Sequence, residues 1–295
     1  MEQTNNNKYF IVSDIHSAYT PLKTALTEKG FDLANPEHIL VVNGDLFDRM
    51  DESKQLLEFV KSLDDRFIYV RGNHEDLLQD LYADIMSNRP IGSHHFSNGT
   101  VKTICDLCDL THTDFNNWGY TDNAKLKIKE IIGDLLDYIE SKCINYFEIA
   151  NKYIITHCWI PLIEKEDNYY YYSAKKLYLG IYDKWNIDPT ALEDKEFFEY
   201  RSKWMASRWG NPFECWKQKM CPEGKVIVSG HWHTSYGFSH IDMKLKEWPD
   251  KNRKDWQDSF KIWKRDNFIA IDGCVAYSGI VNCLVINELG NIEES

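Results

Sequence analysis

The N-terminal third of the chain alternates short apolar runs with segments of helical spacing, and this alternation constrains the fold more than any other feature. Runs rich in β-branched and aromatic residues predict strands at Lys8–Ser13, His38–Asn43 and Phe67–Val70. Helices are predicted from Thr20–Pro21 to Gly30, over Asp51–Leu63 and over His74–Met86. Strands that alternate with helices in this way form a largely parallel sheet, so the fold class is α/β.

The remaining elements are more widely spaced. The pattern predicts a helix at Asp122–Ser141, a hairpin from Tyr146–Ile149 and Lys152–Thr156, and strands at Val226–Ser229, Phe268–Asp272 and Val281–Ile286. Residues 159–222 are rich in Trp and Tyr, with a helix around Leu192–Trp209. We expect one catalytic domain over residues 8–295, in which 159–222 is either an inserted cap facing the substrate or an ordinary insertion with its own aromatic core.

Polar side chains follow five of the predicted strands. They are Asp14-Ile15-His16, Gly44-Asp45-Leu46-Phe47-Asp48-Arg49, Arg71-Gly72-Asn73-His74-Glu75, His157 and Gly230-His231-Trp232-His233. Ligands of open α/β sheets bind beyond the carboxyl ends of the strands. Each group alone is common, but carboxylate, imidazole and amide side chains at five strand ends predict a shared site.

These residue types suit metal-assisted hydrolysis. Two metal ions can supply a deprotonated water and clamp phosphoryl oxygens. Mixed Asp, His and Asn ligands favour Mn²⁺, Fe or Zn²⁺ over Ca²⁺. Histidine can protonate a leaving alkoxide near neutral pH, and arginine binds phosphate oxygens through a two-pronged fork.

The motifs Asp14-x-His16, Gly44-Asp45-x-x-Asp48-Arg49, Gly72-Asn73-His74-Glu75, His157 and Gly230-His231 resemble those of the calcineurin-like metallophosphoesterases. Within that superfamily they are similar to the phosphoprotein phosphatase branch, which includes Ser/Thr protein phosphatases, phage lambda-type phosphatases and bacterial diadenosine tetraphosphatases. The resemblance implies an αββα sandwich of two mixed sheets flanked by helices, here with an aromatic-rich insertion.

The resemblance also implies a role for each matching residue. The first metal ion is assigned to Asp14 and His16, the bridging position to Asp45, and the second metal ion to Asn73, His157 and His231. His74 is assigned as the general acid, oriented by Asp48. The substrate phosphate is assigned to Arg49, Arg71 and Arg208. His233 is either a ligand of the first metal or a residue lining the pocket, and Asp272 is assigned a structural role.

The implied cofactors are two divalent or trivalent metal ions, with Mn²⁺ expected and Fe or Zn²⁺ as alternatives. The expected activity is that of a Ser/Thr-phosphatase-type phosphomonoesterase with a metal-bridging hydroxide as nucleophile. The alternative is a nucleotide phosphodiesterase or a dinucleoside polyphosphate hydrolase, which His233 and the stretch Trp209–Pro212 favour. The substrate is accordingly a phosphorylated protein or a small phosphoester or nucleotide. Ser13, Ser17 and Met50 stand where the branch usually has glycine, which predicts a reshaped rim.

Charge and composition exclude other classes of function. A formal net charge of -12 argues against duplex nucleic acid as a partner. The chain has neither a signal-peptide pattern nor an apolar run of ~20 residues, so we expect no membrane association and a cytoplasmic location. The eight cysteines, including Cys105-x-x-Cys108, are interpreted as reduced thiols. His94 and His95 are predicted to be exposed.

Overall fold

A computed structural model describes residues 6–115, 120–161, 163–164, 177–178, 194–242 and 254–293. The strands are β1 (Lys8–Val12), β2 (His38–Asn43), β3 (Phe67–Val70), β4 (Cys143–Ile144), β5 (Phe147–Ile149), β6 (Tyr153–Ile155), β7 (Ile163–Glu164), β8 (Leu177–Tyr178), β9 (Val226–Ser229), β10 (Trp263–Arg265), β11 (Phe268–Ala270) and β12 (Leu284–Asn287). The α-helices are α1 (Tyr19–Glu28), α2 (Ser53–Ser62), α3 (Asn73–Met86), α4 (Ser93–Ser97), α5 (Thr100–Cys108), α6 (Asp122–Lys142), α7 (Asp194–Arg208), α8 (Pro212–Lys217), α9 (Lys254–Asp258) and α10 (Val275–Ser278).

Two five-stranded mixed sheets form the centre of the fold, with strand orders β12-β1-β2-β3-β4 and β10-β11-β9-β6-β5. In the first sheet β1 to β4 are parallel and β12 is antiparallel. In the second sheet β6, β9 and β11 are parallel, while β5 and β10 pair antiparallel at the edges. The predicted parallel β1–β2–β3 unit and the β5–β6 hairpin are both confirmed.

The sheets pack face to face, because alternate side chains of each strand point to opposite faces. The core between the sheets contains Ile11, Val41, Val70, Ile155, Val228 and Ile269. The other face of the first sheet packs through Phe10, Val12 and Leu40 against helices α2, α3 and α6. On the outer face of the second sheet, Ile227 and Phe268 pack with Trp204 of α7 and Phe213 of α8. The predicted αββα sandwich is therefore confirmed.

Local signals explain where the helices next to the site begin. Helix α3 starts directly after β3, and the Gly72 amide donates to Oε2 of Glu75 at 2.7 Å, which satisfies an amide at the helix N-terminus. Helix α8 begins at Pro212 after Asn211, whose Oδ1 accepts the amides of Phe213 and Glu214.

Two further predictions concern the rest of the described chain. All eight cysteines are free thiols, as expected. The predicted exposure of His95 is wrong: His94 and His95 both lie in α4, where His94 is exposed but His95 is fully buried.

Much of the predicted 159–222 insertion, including the Tyr169–Tyr172 run, lies outside the described residues. No helix in the described part of the chain is both long and apolar enough to cross a bilayer.

Candidate active site

A cavity of about 330 Å³ opens at the carboxyl ends of the central strands. Its lining residues are Asp14, His16, Asp45, Arg49, Asn73, His74, Asn98, Trp209, His231, Trp232, His233, Asp272, Cys274 and Ala276. Strands β1, β2, β3 and β9 each end two or three residues before a predicted metal ligand. The sheet topology therefore brings the predicted strand-end residues together.

Two groups of donor atoms at the cavity could each hold a metal ion. The side-chain donors of His16, Asp45 and His74 lie within 4.8 Å of one another, and so do those of Asp45, His157 and His231. Asp45 belongs to both clusters, which is the arrangement expected of a bridging carboxylate. Asp14 lies in the cavity lining but outside both clusters.

Hydrogen bonds orient the imidazole rings of these clusters. His16 Nδ1 donates to the carbonyl oxygen of Phe47 at 3.0 Å, and His157 Nδ1 donates to that of Asn43 at 3.0 Å. The ring of His231 hydrogen-bonds the backbone of Trp209. Such bonds fix the tautomer of metal-binding histidines.

The donor set fits a cation. Burial lowers the pKa of His157, so its ring is neutral and its one proton is on Nδ1. The unprotonated Nε2 then lies 2.8 Å from Oδ1 of Asn73 and 3.3 Å from Oδ1 of Asp45. Three lone-pair donors at this spacing repel one another unless a positive ion binds them.

The pKa shifts of the cavity residues also indicate that the site suits a cation. Burial raises the pKa of Asp14 to about 6 and that of Asp45 to about 7, with a neighbouring carboxylate contributing in each case. Burial also lowers the pKa of His16 and His231 well below the usual value, which leaves neutral imidazoles. Neutral histidines and carboxylates that are costly to ionise without a counter-charge favour metal binding.

The backbone is strained at the same residues. Asp14, Asp45 and His231 adopt left-handed conformations with φ values of 52°, 54° and 64°. Asp48 and Arg49 do so as well, with φ values of 81° and 65°. Each such residue costs about 1–3 kcal/mol, and residues of this kind concentrate at functional sites. These residues lie in the loops that follow β1, β2 and β9, next to the cavity.

His74 forms a buried pair with Asp48. Its Nδ1 donates to Oδ2 of Asp48 at 2.6 Å, and the two Asp48 oxygens also accept hydroxyls of Thr100 and Thr103 at 3.0 and 2.7 Å. Burial lowers the pKa of His74, but the carboxylates of Asp45 and Asp48 outweigh it and raise the pKa to about 9. The pair with Asp48 thus favours the protonated form of the His74 ring.

The sequence profile of the calcineurin-like phosphoesterase family matches residues 8–271. The chain is a calcineurin-like phosphoesterase. The His/Asp clusters described above could hold metal ions.

Curated relatives match this phosphoesterase over a shorter stretch. The symmetrical bis(5'-nucleosyl)-tetraphosphatase of Proteus mirabilis is 37% identical over 81 residues, which cover 28% of this chain and 29% of the relative. That of Pectobacterium carotovorum is 39% identical over 82 residues, 28% of each chain. The matched segment thus spans less than a third of the length of these relatives.

Solved structures align along nearly the whole chain. A putative diadenosine tetraphosphatase aligns with a TM-score of 0.48 at 15% identity, covering 99% of this chain and 94% of that one. A protein serine/threonine phosphatase from Saccharomyces cerevisiae aligns with a TM-score of 0.45 at 15% identity, covering 97% and 74%.

The three predicted phosphate-binding arginines of the phosphoesterase are not placed together. Arg49 lines the cavity, and its Nη2 lies 3.3 Å from Nε2 of His74. Arg71 and Arg208 are outside the lining and share Asp76, with Nε to carboxylate distances of 2.8 and 3.3 Å. Arg71 also donates to Glu140 and Gln79. In this arrangement Asp76 pairs with both side chains, and a phosphate contact of Arg71 and Arg208 stays a prediction.

Two further residues, His233 and Asp272, line the cavity. His233 lines the cavity but belongs to neither metal cluster among the described residues, and its Nδ1 contacts the hydroxyl of Ser235 at 2.5 Å. Asp14 is likewise outside both clusters, so the ligand and pocket-lining assignments of His233 both remain predictions. Asp272, assigned a structural role, also lines the cavity, and burial together with Asp14 raises its pKa well above the usual value.

Sequence reasoning assigned no role to Glu75, Thr100 or Thr103. Glu75 is buried, and its carboxylate accepts the amides of Gly72, Asp45 and Leu46 and the hydroxyl of Tyr69. These four bonds tie the loops after β2 and β3 to each other. Glu75 could have been identified as a site residue, because it belongs to the Gly72-Asn73-His74-Glu75 motif. Thr100 and Thr103 lie in α5, a helix that the sequence pattern did not predict.

Proposed function

We propose that the protein hydrolyses phosphate linkages of nucleotides, in the class of phosphodiesters and dinucleoside polyphosphates. The observation that carries this choice is the placement of the arginines. Among the described residues, Arg49 is the only arginine that lines the cavity, because Asp76 holds Arg71 and Arg208 elsewhere. A phosphomonoester carries nearly two negative charges at pH 7, whereas a bridging phosphate carries one. A cavity with one arginine therefore suits the bridging phosphate better.

The curated relatives agree with this substrate class, since they are symmetrical bis(5'-nucleosyl)-tetraphosphatases. The second candidate function is that of a Ser/Thr-phosphatase-type phosphomonoesterase, which is the activity expected from the sequence motifs. It is favoured by Arg208, whose buried Nη1 has no hydrogen-bond partner among the described residues and could bind a phosphate if the side chain moved.

The metal-binding residues in this proposal are Asp14, His16, Asp45, Asn73, His157 and His231. Metal ions bound there would supply a deprotonated water as nucleophile and neutralise the phosphate charge. Asp45 lies between the two groups of donors and would contact both ions. The four histidine and asparagine side chains would provide the neutral ligands that Mn²⁺, Fe or Zn²⁺ accept.

The chain's own groups provide the remaining chemistry. His74 donates a proton from Nε2 to the departing oxygen, while Asp48 holds the proton on Nδ1 and so keeps the ring in this orientation. Arg49 binds an equatorial phosphate oxygen next to His74. Arg49 thus binds the phosphate, and His74 donates the proton, from neighbouring positions on one wall of the cavity.

Turnover by the Mn²⁺-loaded protein tests the proposal. Diadenosine tetraphosphate and bis-p-nitrophenyl phosphate should be hydrolysed with higher kcat/KM than p-nitrophenyl phosphate and a phosphoserine peptide. A strong preference for the monoesters would reject the proposal and support the second candidate.

A further inference from the structure

Trp209 is an exposed aromatic residue in the wall of the catalytic cavity. It leaves 38% of its surface accessible, whereas Trp159, Trp204 and Trp263 are almost fully buried in the same part of the fold. Its exposed face belongs to the cavity lining, so a ligand in the cavity would cover it and bury apolar surface. The position of Trp209 beside the metal-binding histidines points to a ligand.

The chain on either side of Trp209 is held in place. Before it, Arg208 pairs with Asp76 of α3 at 3.3 Å. After it, Gly210 packs so closely on Cys158 that a Cβ would lie 3.2 Å from the sulfur, and Asn211 caps α8. The exposed indole is therefore pre-organised, which lowers the entropic cost of binding.

Trp232 provides a second indole in the same cavity. It follows His231 in the chain, and its ring packs edge-on against Tyr236 with centroids 5.0 Å apart. Trp209 contacts the His231 ring edge-to-face at 6.2 Å. Trp209 thus contacts the His231 ring, and both indoles line the cavity that contains the predicted metal ligands.

We propose that Trp209 and Trp232 form a subsite for the planar heterocyclic base of the substrate. This inference rests on the proposed nucleotide phosphoesterase activity and assigns the residues that select for the base. Indole rings stack on any base, and such stacking contributes about 5- to 150-fold in affinity per base. The subsite recognises a flat aromatic group and not a particular pattern of hydrogen bonds.

The test compares two ligands that differ in the base alone, AMP and ribose 5-phosphate. Dissociation constants are measured by calorimetry with Mn²⁺-loaded protein. Wild-type protein should bind AMP about 5- to 150-fold more tightly than ribose 5-phosphate. Trp209→Ala should remove most of this ratio, Trp232→Ala should reduce it, and Trp209→Phe should retain much of it because a ring remains.

Met205→Ala is the matched control, because Met205 lies on α7 four residues before Trp209, exposes 48% of its surface and is outside the cavity lining. It should leave the ratio unchanged. Equal binding of both ligands by wild-type protein, or an unchanged ratio in Trp209→Ala, overturns the subsite. The proposed function fails separately, if nucleotide substrates are not hydrolysed by a protein that still prefers AMP.

Discussion

His74 Nδ1 lies 2.6 Å from Oδ2 of Asp48, and this contact directs Nε2 of the same ring toward Asp45 and Arg49. Asp48 is itself fixed by the hydroxyls of Thr100 and Thr103. The ring therefore has one orientation in which a proton can reach the cavity. An imidazole held in this way is a general acid whose position does not depend on the substrate.

His74→Asn should lower kcat by roughly 10²–10⁴-fold, the usual contribution of a general acid. Asp48→Asn should lower it by about 10–100-fold, because the ring remains but loses its orienting carboxylate. Metal content, measured by mass spectrometry, should stay close to that of wild-type protein in Asp48→Asn. Unchanged turnover in His74→Asn would remove the general-acid assignment.

Asp45→Asn should abolish metal binding and activity together, because Asp45 is the one carboxylate shared by both donor clusters. Asp51→Asn is the control, since Asp51 is exposed and pairs with Lys102 outside the cavity. Metal stoichiometry after Mn²⁺ loading is the measurement. A fully active Asp45→Asn protein with its metal complement would contradict a dinuclear site.

The strand-end residues could be predicted because strand and helix periodicity shows where each parallel strand ends. That local signal is sufficient to place Asp14, Asp45 and Asn73 at one edge of the fold. The ion pairs of Arg71 and Arg208 could not be predicted, because they depend on Asp76 and on how α3, α6 and α7 pack together.

Other features that the sequence did not predict also depend on tertiary packing. His95 follows Pro90 in a short polar stretch, and its burial depends on the packing of α4 beside Asp84. Thr100 and Thr103 belong to α5. The Cys105-x-x-Cys108 spacing in the same helix concerns the cysteines and predicts nothing about the threonines. Nothing in the local pattern indicates that the threonines contact Asp48, which is far away in the chain.

Gly44 allows His157 to approach the loop after β2. Its φ is +81°, and a Cβ there would lie 2.3 Å from Nδ1 of His157. Gly44→Ala should therefore displace the ring and weaken Mn²⁺ binding at least about tenfold. Gly30→Ala is the control, because Gly30 has a similar φ of +76° but nothing within 4 Å. It should cost only about 1 kcal/mol of backbone strain and leave Mn²⁺ affinity unchanged.

His95 makes the stability of the fold depend on pH. Burial, followed by the nearby His94, lowers the pKa of His95 to about 4, and neither ring nitrogen has a hydrogen-bond partner among the described residues. Between pH 6.5 and 4 the unfolded chain binds a proton that the folded chain does not, so stability falls as pH falls through this window. The effect over the whole window should be roughly 3 kcal/mol, since one pKa unit corresponds to about 1.4 kcal/mol.

His95→Leu should flatten this part of the stability profile, because the leucine cannot bind a proton in either state. Urea denaturation at pH 7, 6 and 5 is the measurement. His94→Gln removes only the smaller contribution of His94 to the pKa of His95, so this variant should keep most of the pH dependence. A profile for His95→Leu that falls as steeply as that of wild-type protein would assign the pH dependence to other groups.

Asp76 neutralises two arginines at once, and its removal separates the two candidate functions. If Arg71 and Arg208 are structural, Asp76→Asn should destabilise the fold by roughly 3 kcal/mol, since breaking a buried ion pair leaves a charge without its partner. Asp80→Asn, one turn further along α3 and exposed, should have little effect. Inhibition by inorganic phosphate should be the same in both variants, because neither arginine lines the cavity. A clear gain in phosphate affinity in Asp76→Asn would instead show that Asp76 competes with phosphate for these arginines, and would favour the phosphomonoesterase.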